Sequence, residues 1–253
     1  MIFAPCLCAA LRAAALSAVL AIFACGAALA YDETSIENPA SLTGIVRLGG
    51  ALPPTEQIVV DKDTEACGDT LESQTVIVGS SKGIANAIVT IEGINAGKAI
   101  PTADSLFVAN RGCQFVPRVQ VVQVGSRVDI RNDDGVLHNV HAMLGGTESL
   151  FNIALPTKDL HVYKDFAKPG LVEIACDAGH TWMRAYVLVT DHPYYAITGN
   201  DGAFTIPDVP PGTYTVRVWH EALGTQTREV VLRQAERATI EFDLVGGGTG
   251  GAQ

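Results

Sequence analysis

The octapeptide Cys176-Asp-Ala-Gly-His180-Thr-Trp-Met183 places a thiol, an imidazole and a thioether within eight positions. A second stretch, DDGVLHNVH at 133–141, supplies a distant histidine, His138. Two imidazoles and one thiolate in a trigonal set, with a weak axial thioether, are the ligands of a type 1 (blue) copper site. The sequence therefore predicts one copper ion bound by these four side chains.

The local pattern around the candidate ligands predicts that all four meet at one end of a β-sandwich. An apolar run, Leu171–Cys176, predicts a buried strand that ends at the cysteine. His180 and Met183 follow in a loop so short that the three side chains share one rim. His138 comes soon after a turn cluster, Asn132–Gly135, which places it near the start of a strand.

Alternative roles stay open for individual residues. His141 is three positions after His138 and faces the other side of a regular strand, but it is a rival or satellite ligand. The alternative for Cys176 is an inert buried thiol. The alternative for Met183 is core packing, because Met fills gaps readily. Trp182 is expected at the rim near the site.

Other metal and catalytic sites fit the sequence less well. A binuclear copper centre needs two cysteines in the loop, where only Cys176 stands, and multicopper oxidases need His-x-His pairs, which the sequence lacks. A structural zinc site would favour more Cys or His and no Met. The sequence contains no serine nucleophile motif, phosphate-binding loop or dinucleotide fingerprint. We therefore expect a protein without substrate turnover, not an enzyme.

Residues 1–30 predict a secretory signal. They contain one basic residue, Arg12, no acid, an apolar run that ends at Cys25, and the small-residue site Ala28–Ala30. The run is shorter than the roughly 20 residues of a spanning helix, which disfavours a membrane anchor. Lipidation at Cys25 is a further alternative, which Phe23 fits poorly. We expect a periplasmic protein without a membrane span.

The charge balance is acidic. The full chain has 17 basic and 27 acidic residues and a formal net charge of −10. Removing residues 1–30 takes away Arg12 and no acid, which leaves 16 basic and 27 acidic residues and a charge of −11. An acidic chain without basic clusters argues against nucleic acid or an anionic membrane as a partner. It is compatible with a cationic redox partner protein, and equally with plain solubility.

The cysteines predict one disulfide. Three of the six precede residue 31, and three follow it: Cys67, Cys113 and Cys176. In an oxidising compartment, three cysteines suggest one disulfide and one thiol with another role. Because Cys176 has neighbours that could employ it, Cys67 and Cys113 are expected to pair. A loop of that length would stabilise the fold by about 4 kcal/mol in the chain-entropy view. The alternative is that both are free and buried.

The remaining sequence predicts an all-β fold. Gly and Pro punctuate short runs rich in Val, Ile and Thr, such as Gly170–Cys176 and Ala185–Thr190. No stretch carries a sustained 3.6-residue apolar period. Only Gly146–Leu160 is expected to include a short helix.

The domain organisation follows from breaks between these runs. A copper domain at 106–190 precedes a smaller β-sandwich module at 191–245. Residues 31–105 either extend the copper sandwich or form a small β module of their own. The Gly-rich tail, 246–253, is expected to be disordered.

The stretch from Phe115 to Thr190 resembles a cupredoxin of the plastocyanin, amicyanin and azurin type. The shared elements are Gly125, the run Asn132–His138, Lys168–Gly170 and the loop Cys176–Met183. The resemblance implies a Greek-key β-sandwich that binds one type 1 copper ion.

The same resemblance implies roles for single residues. His138, in the HNV pattern, is the first ligand. Asn139 shields the sulfur of Cys176 and donates a hydrogen bond to it, a type of contact that tunes the potential of a metal. Under the hypothesis of electron transfer, His180 stands on an exposed loop and is the edge through which electrons enter and leave.

Residues 192–221 resemble a carboxypeptidase-regulatory-like or transthyretin-like β-sandwich, on the stretch HPYYAITGNDGAFTIPDVPPGTYTVRVWHE. The whole arrangement is similar to secreted cupredoxin-like proteins, some labelled methylamine-utilisation proteins. This second resemblance implies a non-catalytic module and no peptidase activity.

Three functions are compatible with these patterns. The first is one-electron transfer in the periplasm through Cu(I)/Cu(II), to a redox partner protein. The second is copper scavenging or delivery with the same ligands. The third is a metal-free structural or adhesive surface protein built from β-sandwiches.

Overall fold

The computed structural model describes residues 31–54, 56–102 and 106–246. The predicted signal at 1–30, including Cys25, and the tail at 247–253 lie outside the described residues. Among the helices of the described part, none is long and apolar enough to cross a membrane.

The described chain is almost entirely extended, which confirms the all-β prediction. Local alternation explains much of it, since β2 and β10 bury every second side chain. Helical structure among the described residues is limited to α1 (Thr64–Cys67) and a 3₁₀ turn at Ser80–Lys82. The strands are β1 (Asp32–Glu33), β2 (Ala40–Leu48), β3 (Gln57–Val59), β4 (Thr70–Glu72), β5 (Ile88–Glu92), β6 (Ala96–Gly97), β7 (Phe107–Arg111), β8 (Gln114–Val116), β9 (Val119–Gln123), β10 (Ser126–Asn132), β11 (His138–Leu144), β12 (Glu148–Leu155), β13 (Leu160–Phe166), β14 (Gly170–Ala175), β15 (Arg184–Thr190), β16 (Tyr195–Ile197), β17 (Ala203–Val209), β18 (Gly212–His220), β19 (Gly224–Leu232) and β20 (Arg237–Leu244).

The first sandwich contains the predicted copper ligands. Its larger sheet has the strand order β12-β11-β14-β15-β9, and its smaller sheet has the order β13-β10-β7-β8. Side chains from both sheets form one buried cluster, in which Ile130 of the smaller sheet and Ile174 of the larger sheet are fully buried. Cys176 and Met183 belong to the same cluster, so the ligand loop is anchored in the core.

The expected short helix at Gly146–Leu160 is wrong. Residues Glu148–Leu155 form β12, which pairs antiparallel with β11 from His138↔Leu155 to Leu144↔Glu148. The turn between the strands contains Gly145 and Gly146, both with positive φ, a conformation that glycine adopts without steric cost. Pairing with β11 therefore decides the conformation.

The second sandwich differs from the sequence prediction in its N-terminal strands. Its sheets have the orders β16-β5-β18-β19 and β17-β2-β20. Residues 31–105 supply β2, the central strand of the smaller sheet, and β5, which lies between β16 and β18. The sandwich is therefore not formed by 191–245 alone. The sequence did not predict this pairing because an alternating strand such as β2 can pair with any complementary edge. Its partner β20 lies more than 150 residues away in the sequence.

One N-terminal segment packs on the first sandwich. Strands β3 and β4 pair as a hairpin with α1 between them, and we call Gln57–Glu72 the 57–72 hairpin. Val60 and Cys67 are buried in the core cluster of the copper-ligand sandwich. The disulfide Cys67–Cys113 attaches the hairpin to the turn between β7 and β8, which confirms the predicted pairing.

The two sandwiches contact each other through a buried ion pair. The Arg118 guanidinium makes two hydrogen bonds to the Glu221 carboxylate, at 2.5 and 2.6 Å. Their side chains are 12% and 5% exposed. Tyr186 and Trp219 meet edge to face beside this pair, with ring centroids 5.0 Å apart. Ile88, Val119 and Val121 form an apolar cluster between the same sandwiches, so the contact combines a buried ion pair with apolar packing.

His220, next to Glu221, makes the stability of the second sandwich depend on pH. Its side chain is buried, and its Nδ1 accepts a hydrogen bond from the Ala222 amide. Burial, and then the nearby Arg118 charge, lower the pKa of His220 from 6.5 to about 4. The folded state therefore resists protonation in a range where the unfolded chain binds a proton.

We expect the substitution His220→Gln to change this pH dependence. As the pH falls from 6.5 to 4, the wild-type chain should lose about 3 kcal/mol of stability that the variant keeps, because Gln cannot be protonated. Urea unfolding of both proteins, followed by tryptophan fluorescence at several pH values, measures the difference. A difference between the two proteins that is constant from pH 7 to pH 4 would contradict the prediction.

Candidate metal centre

Strand pairing brings the two ligand-bearing segments together. His138 is the first residue of β11, and Cys176 directly follows β14, the neighbouring antiparallel strand. The backbone amide of Asn139 donates a hydrogen bond to Cys176 Sγ at 3.3 Å. The contact expected at Asn139 is therefore present.

Three of the four predicted ligands converge on one point. One ligand atom from each of His138, Cys176 and His180 lies within 4.8 Å of the other two. The distance from Cys176 Sγ to His180 Nδ1 is 3.6 Å, and the two imidazole rings have centroids 4.6 Å apart. All three side chains are buried. This is the cluster of one thiol and two imidazoles that the sequence predicts.

The outer nitrogen of each imidazole faces a carboxylate. His138 Nε2 donates to Asp134 Oδ2 at 2.9 Å, and His180 Nε2 donates to Asp63 Oδ2 at 2.9 Å. Both rings therefore present Nδ1 to the centre of the cluster. His138 Nδ1 is buried and has no hydrogen-bond partner within the described chain. A buried, unpaired acceptor beside a thiol fits a metal ion, and carboxylate contacts of this kind orient ligating histidines.

Asp134 is itself held in place. Its carboxylate accepts hydrogen bonds from the backbone amides of Gly112, at 2.7 Å, and Cys113, at 2.9 Å. The Asp134 amide donates to Asn132 Oδ1 at 3.0 Å. The turn cluster after β10 therefore orients His138, a role beyond the simple turn that the sequence suggests.

The surroundings of Cys176 favour its thiolate form. Burial raises the pKa of Cys176 and is the largest single influence on it. Contact with His138 and hydrogen bonds from the Asn139 and Ala178 amides together outweigh burial, so the net pKa is lowered. The thiolate is the form that binds a metal.

The two histidines respond differently to the same environment. Burial lowers the pKa of His138, but contacts with Asp134 and Cys176 outweigh it, so the net pKa is raised. For His180, burial and then the proximity of His138 lower the pKa, despite the nearby Asp63 carboxylate. A neutral His180 imidazole is the ligating form.

Met183 and Trp182 complete the loop between β14 and β15. Met183 is buried in the core cluster, and its amide donates to the His180 carbonyl at 3.0 Å. Its thioether as an axial ligand stays a prediction. Trp182 Nε1 donates to the Cys113 carbonyl at 2.9 Å, and its ring lies edge to face with His180 at 5.3 Å.

His180 is not at an exposed edge, contrary to the sequence prediction. Its side chain is 0% exposed, because Asp63 of the 57–72 hairpin covers Nε2. Asp63 was not predicted from the sequence, because no local motif marks an aspartate that lies 117 positions away from its histidine. The predicted disulfide was the available signal, because Cys67 is four residues from Asp63.

His141 lies outside the cluster. Its Nδ1 is 2.8 Å from Asp177 Oδ2, and its Nε2 is 3.0 Å from Ser149 Oγ. The strand alternation of β11 buries His138 and turns His141 to the outer face. The structure therefore brings His138 to Cys176 and leaves the alternative ligand on the opposite side of the sheet.

We expect Asp134→Asn to weaken metal binding about 10–100-fold, because the amide has one oxygen for the three donors that the carboxylate serves. Competition with a Cu(I) chelator measures the affinity. The matched control is Asp133→Asn, which removes the neighbouring charge and weakens a surface ion pair with Arg111. Equal affinities for the two variants would show that Asp134 does not support the site.

The comparison with protein families gives one match. Residues 177–245 match the carboxypeptidase regulatory-like domain. A search of curated proteins gives no match.

Several solved structures are similar to part of this chain. The chain is 23% identical to a purple cupredoxin from Nitrosopumilus maritimus, over 34% of this chain and 100% of that one, with a TM-score of 0.30. It is 22% identical to amicyanin from Paracoccus versutus, over 36% of this chain and 85% of that one, with a TM-score of 0.31. A Cu-containing nitrite reductase from Thermus scotoductus is 22% identical, over 37% of this chain and 24% of that one, with a TM-score of 0.29. The two resemblances noted in the sequence, to cupredoxins and to a carboxypeptidase regulatory-like domain, are thus both found among the matches.

Proposed function

We propose that this chain is a periplasmic type 1 copper protein that transfers single electrons to and from a redox partner protein, without substrate turnover. One observation carries the proposal: Nδ1 of His138, Nδ1 of His180 and Sγ of Cys176 meet in a buried cluster while both Nε2 atoms are held by carboxylates. The periplasmic location rests on the signal-like sequence of residues 1–30.

The residues of the site are arranged to hold a metal with little rearrangement. When bound, copper supplies a couple that accepts and releases one electron. His138 is fixed by a strand and by Asp134, and Cys176 by the end of β14 and the Asn139 amide. Pre-organised ligands cannot follow the geometric preference of one oxidation state, and this favours rapid electron transfer.

The surroundings would keep a bound metal ion away from solvent. Cys176 and Met183 belong to the buried core cluster, and both imidazoles are fully buried. A dry environment and the hydrogen bond to the sulfur are features through which a protein tunes the potential of a bound metal. These features suit a redox centre that keeps its copper.

The acidic charge favours a cationic partner. The chain without residues 1–30 carries a formal charge of −11, from 16 basic and 27 acidic residues. Charge complementarity raises association rates and makes them sensitive to salt. Copper delivery with the same ligands is the second candidate function, and experiment must distinguish it from electron transfer.

The copper-loaded, oxidised protein is expected to show an intense visible absorption band, which Cys176→Ser abolishes because the band depends on the thiolate. The matched control, His141→Gln, removes an imidazole outside the cluster and should leave the band unchanged. Absorption and EPR spectra measure both variants. Wild-type protein without the band would overturn the electron-transfer proposal, and copper transfer to an apo-acceptor without reversible redox cycling would favour delivery.

A further inference from the structure

Asp63 has an unusual position for an aspartate at the start of a helix. It is the N-cap of α1, a place where the carboxylate ordinarily accepts hydrogen bonds from the first turn. Here the side chain makes no capping bond, and the backbone is left-handed, with φ 50° and ψ 38°. The carboxylate instead contacts His180 Nε2. Aspartate adopts left-handed backbone more readily than most residues, so the informative feature is the contact of the carboxylate with His180 in place of a capping bond.

A disulfide attaches the segment that carries Asp63 to the first sandwich. Cys67, at the end of α1, is bonded to Cys113. The Cys113 amide donates to Asp134 Oδ2, and the Cys113 carbonyl accepts from Trp182 Nε1. One disulfide therefore joins the segment that carries Asp63 to the turn that supports Asp134. The two carboxylates that orient the two imidazoles belong to one cross-linked unit.

The 57–72 hairpin also contacts the ligand loop directly. The Lys62 ammonium donates a hydrogen bond to the Ala178 carbonyl. A Cβ at position 179 would lie 3.0 Å from Lys62 Cδ, and Gly179 has a φ of +97°. Glycine at 179 thus permits the close approach of the hairpin. The Asp63 side chain is 34% exposed while His180 is 0% exposed, so Asp63 lies between the imidazole and solvent on the Nε2 side.

We propose that the 57–72 hairpin is a cap on the metal centre, in which Asp63 positions His180 and the Cys67–Cys113 disulfide keeps the cap closed, so that the cap sets how fast the metal enters and leaves. The inference rests on the proposed copper site and adds that the hairpin controls the rate of metal exchange there. His180 is the ligand on the loop, whereas His138 lies on a strand. Metal release therefore proceeds through movement of His180, which the Asp63 carboxylate opposes.

The first test measures metal exchange. We expect Asp63→Ala to release Cu(I) to an excess of chelator at least about tenfold faster than wild type. Losing a carboxylate that bonds a ligating histidine usually weakens metal binding by this amount. The double variant Cys67→Ser/Cys113→Ser should also release Cu(I) faster. The matched control is Asp61→Ala, which removes the same charge from an exposed position two residues away. Asp63→Asn keeps an oxygen acceptor for Nε2 and should restore part of the retention.

The second test needs no metal. Diethyl pyrocarbonate modifies accessible imidazoles, and mass spectrometry of the apo-protein locates the modified residues. We expect His180 to be protected in wild type and in Asp61→Ala, and modified at least severalfold faster in Asp63→Ala.

The outcomes separate the cap from the proposed function. Equal Cu(I) release and equal His180 modification in Asp63→Ala and Asp61→Ala would overturn the cap, even in protein with the expected visible band. Faster release and modification in Asp63→Ala would support the cap, even if the oxidised protein lacked the band and the electron-transfer proposal failed. A wild-type chain that retains no Cu(I) would overturn both.

Discussion

The antiparallel pairing of β11 with β14 is the constraint on which the metal centre depends. It places the first residue of β11, His138, beside the residue that follows β14, Cys176, and it lets the Asn139 amide donate to the sulfur. A shift of one residue in β11 would turn His138 outward, and the same shift in β14 would turn Cys176 outward. The buried alternation of both strands holds the register, so the core that stabilises the sandwich also decides which histidine meets the thiol.

A second level of control lies around the imidazoles. Each Nε2 faces a carboxylate, and one disulfide links the segment that carries Asp63 to the turn whose Cys113 amide bonds Asp134. The 57–72 hairpin thus lies over a histidine from a loop at the sandwich rim, and the His180 side chain is fully buried. If His180 is the metal ligand, electrons reach the metal through covering protein atoms, and a partner protein meets the hairpin or another face of the sandwich.

Features that are local in the sequence were the predictable ones. The loop from Cys176 to Met183 contains three candidate ligands within eight residues. The alternation of inward and outward side chains along β11 places His138 and His141 on opposite faces of the strand. The disulfide followed from counting cysteines. Pairing between distant segments was not predictable in the same way, because the pattern of β2 fits many edges, and only the assembled sheet shows that it lies between β17 and β20. Asp63 was missed for the same reason, since its role arises from the docking of a hairpin and not from a motif.

The central claim is that one sulfur and two imidazole nitrogens bind the same copper ion, and X-ray absorption at the copper K-edge tests it most directly. In copper-loaded protein, the account predicts a first shell with a single sulfur scatterer from Cys176 and two nitrogen scatterers from His138 and His180. The sulfur should disappear in Cys176→Ser. A first shell of nitrogen and oxygen alone in the wild-type protein would contradict the account.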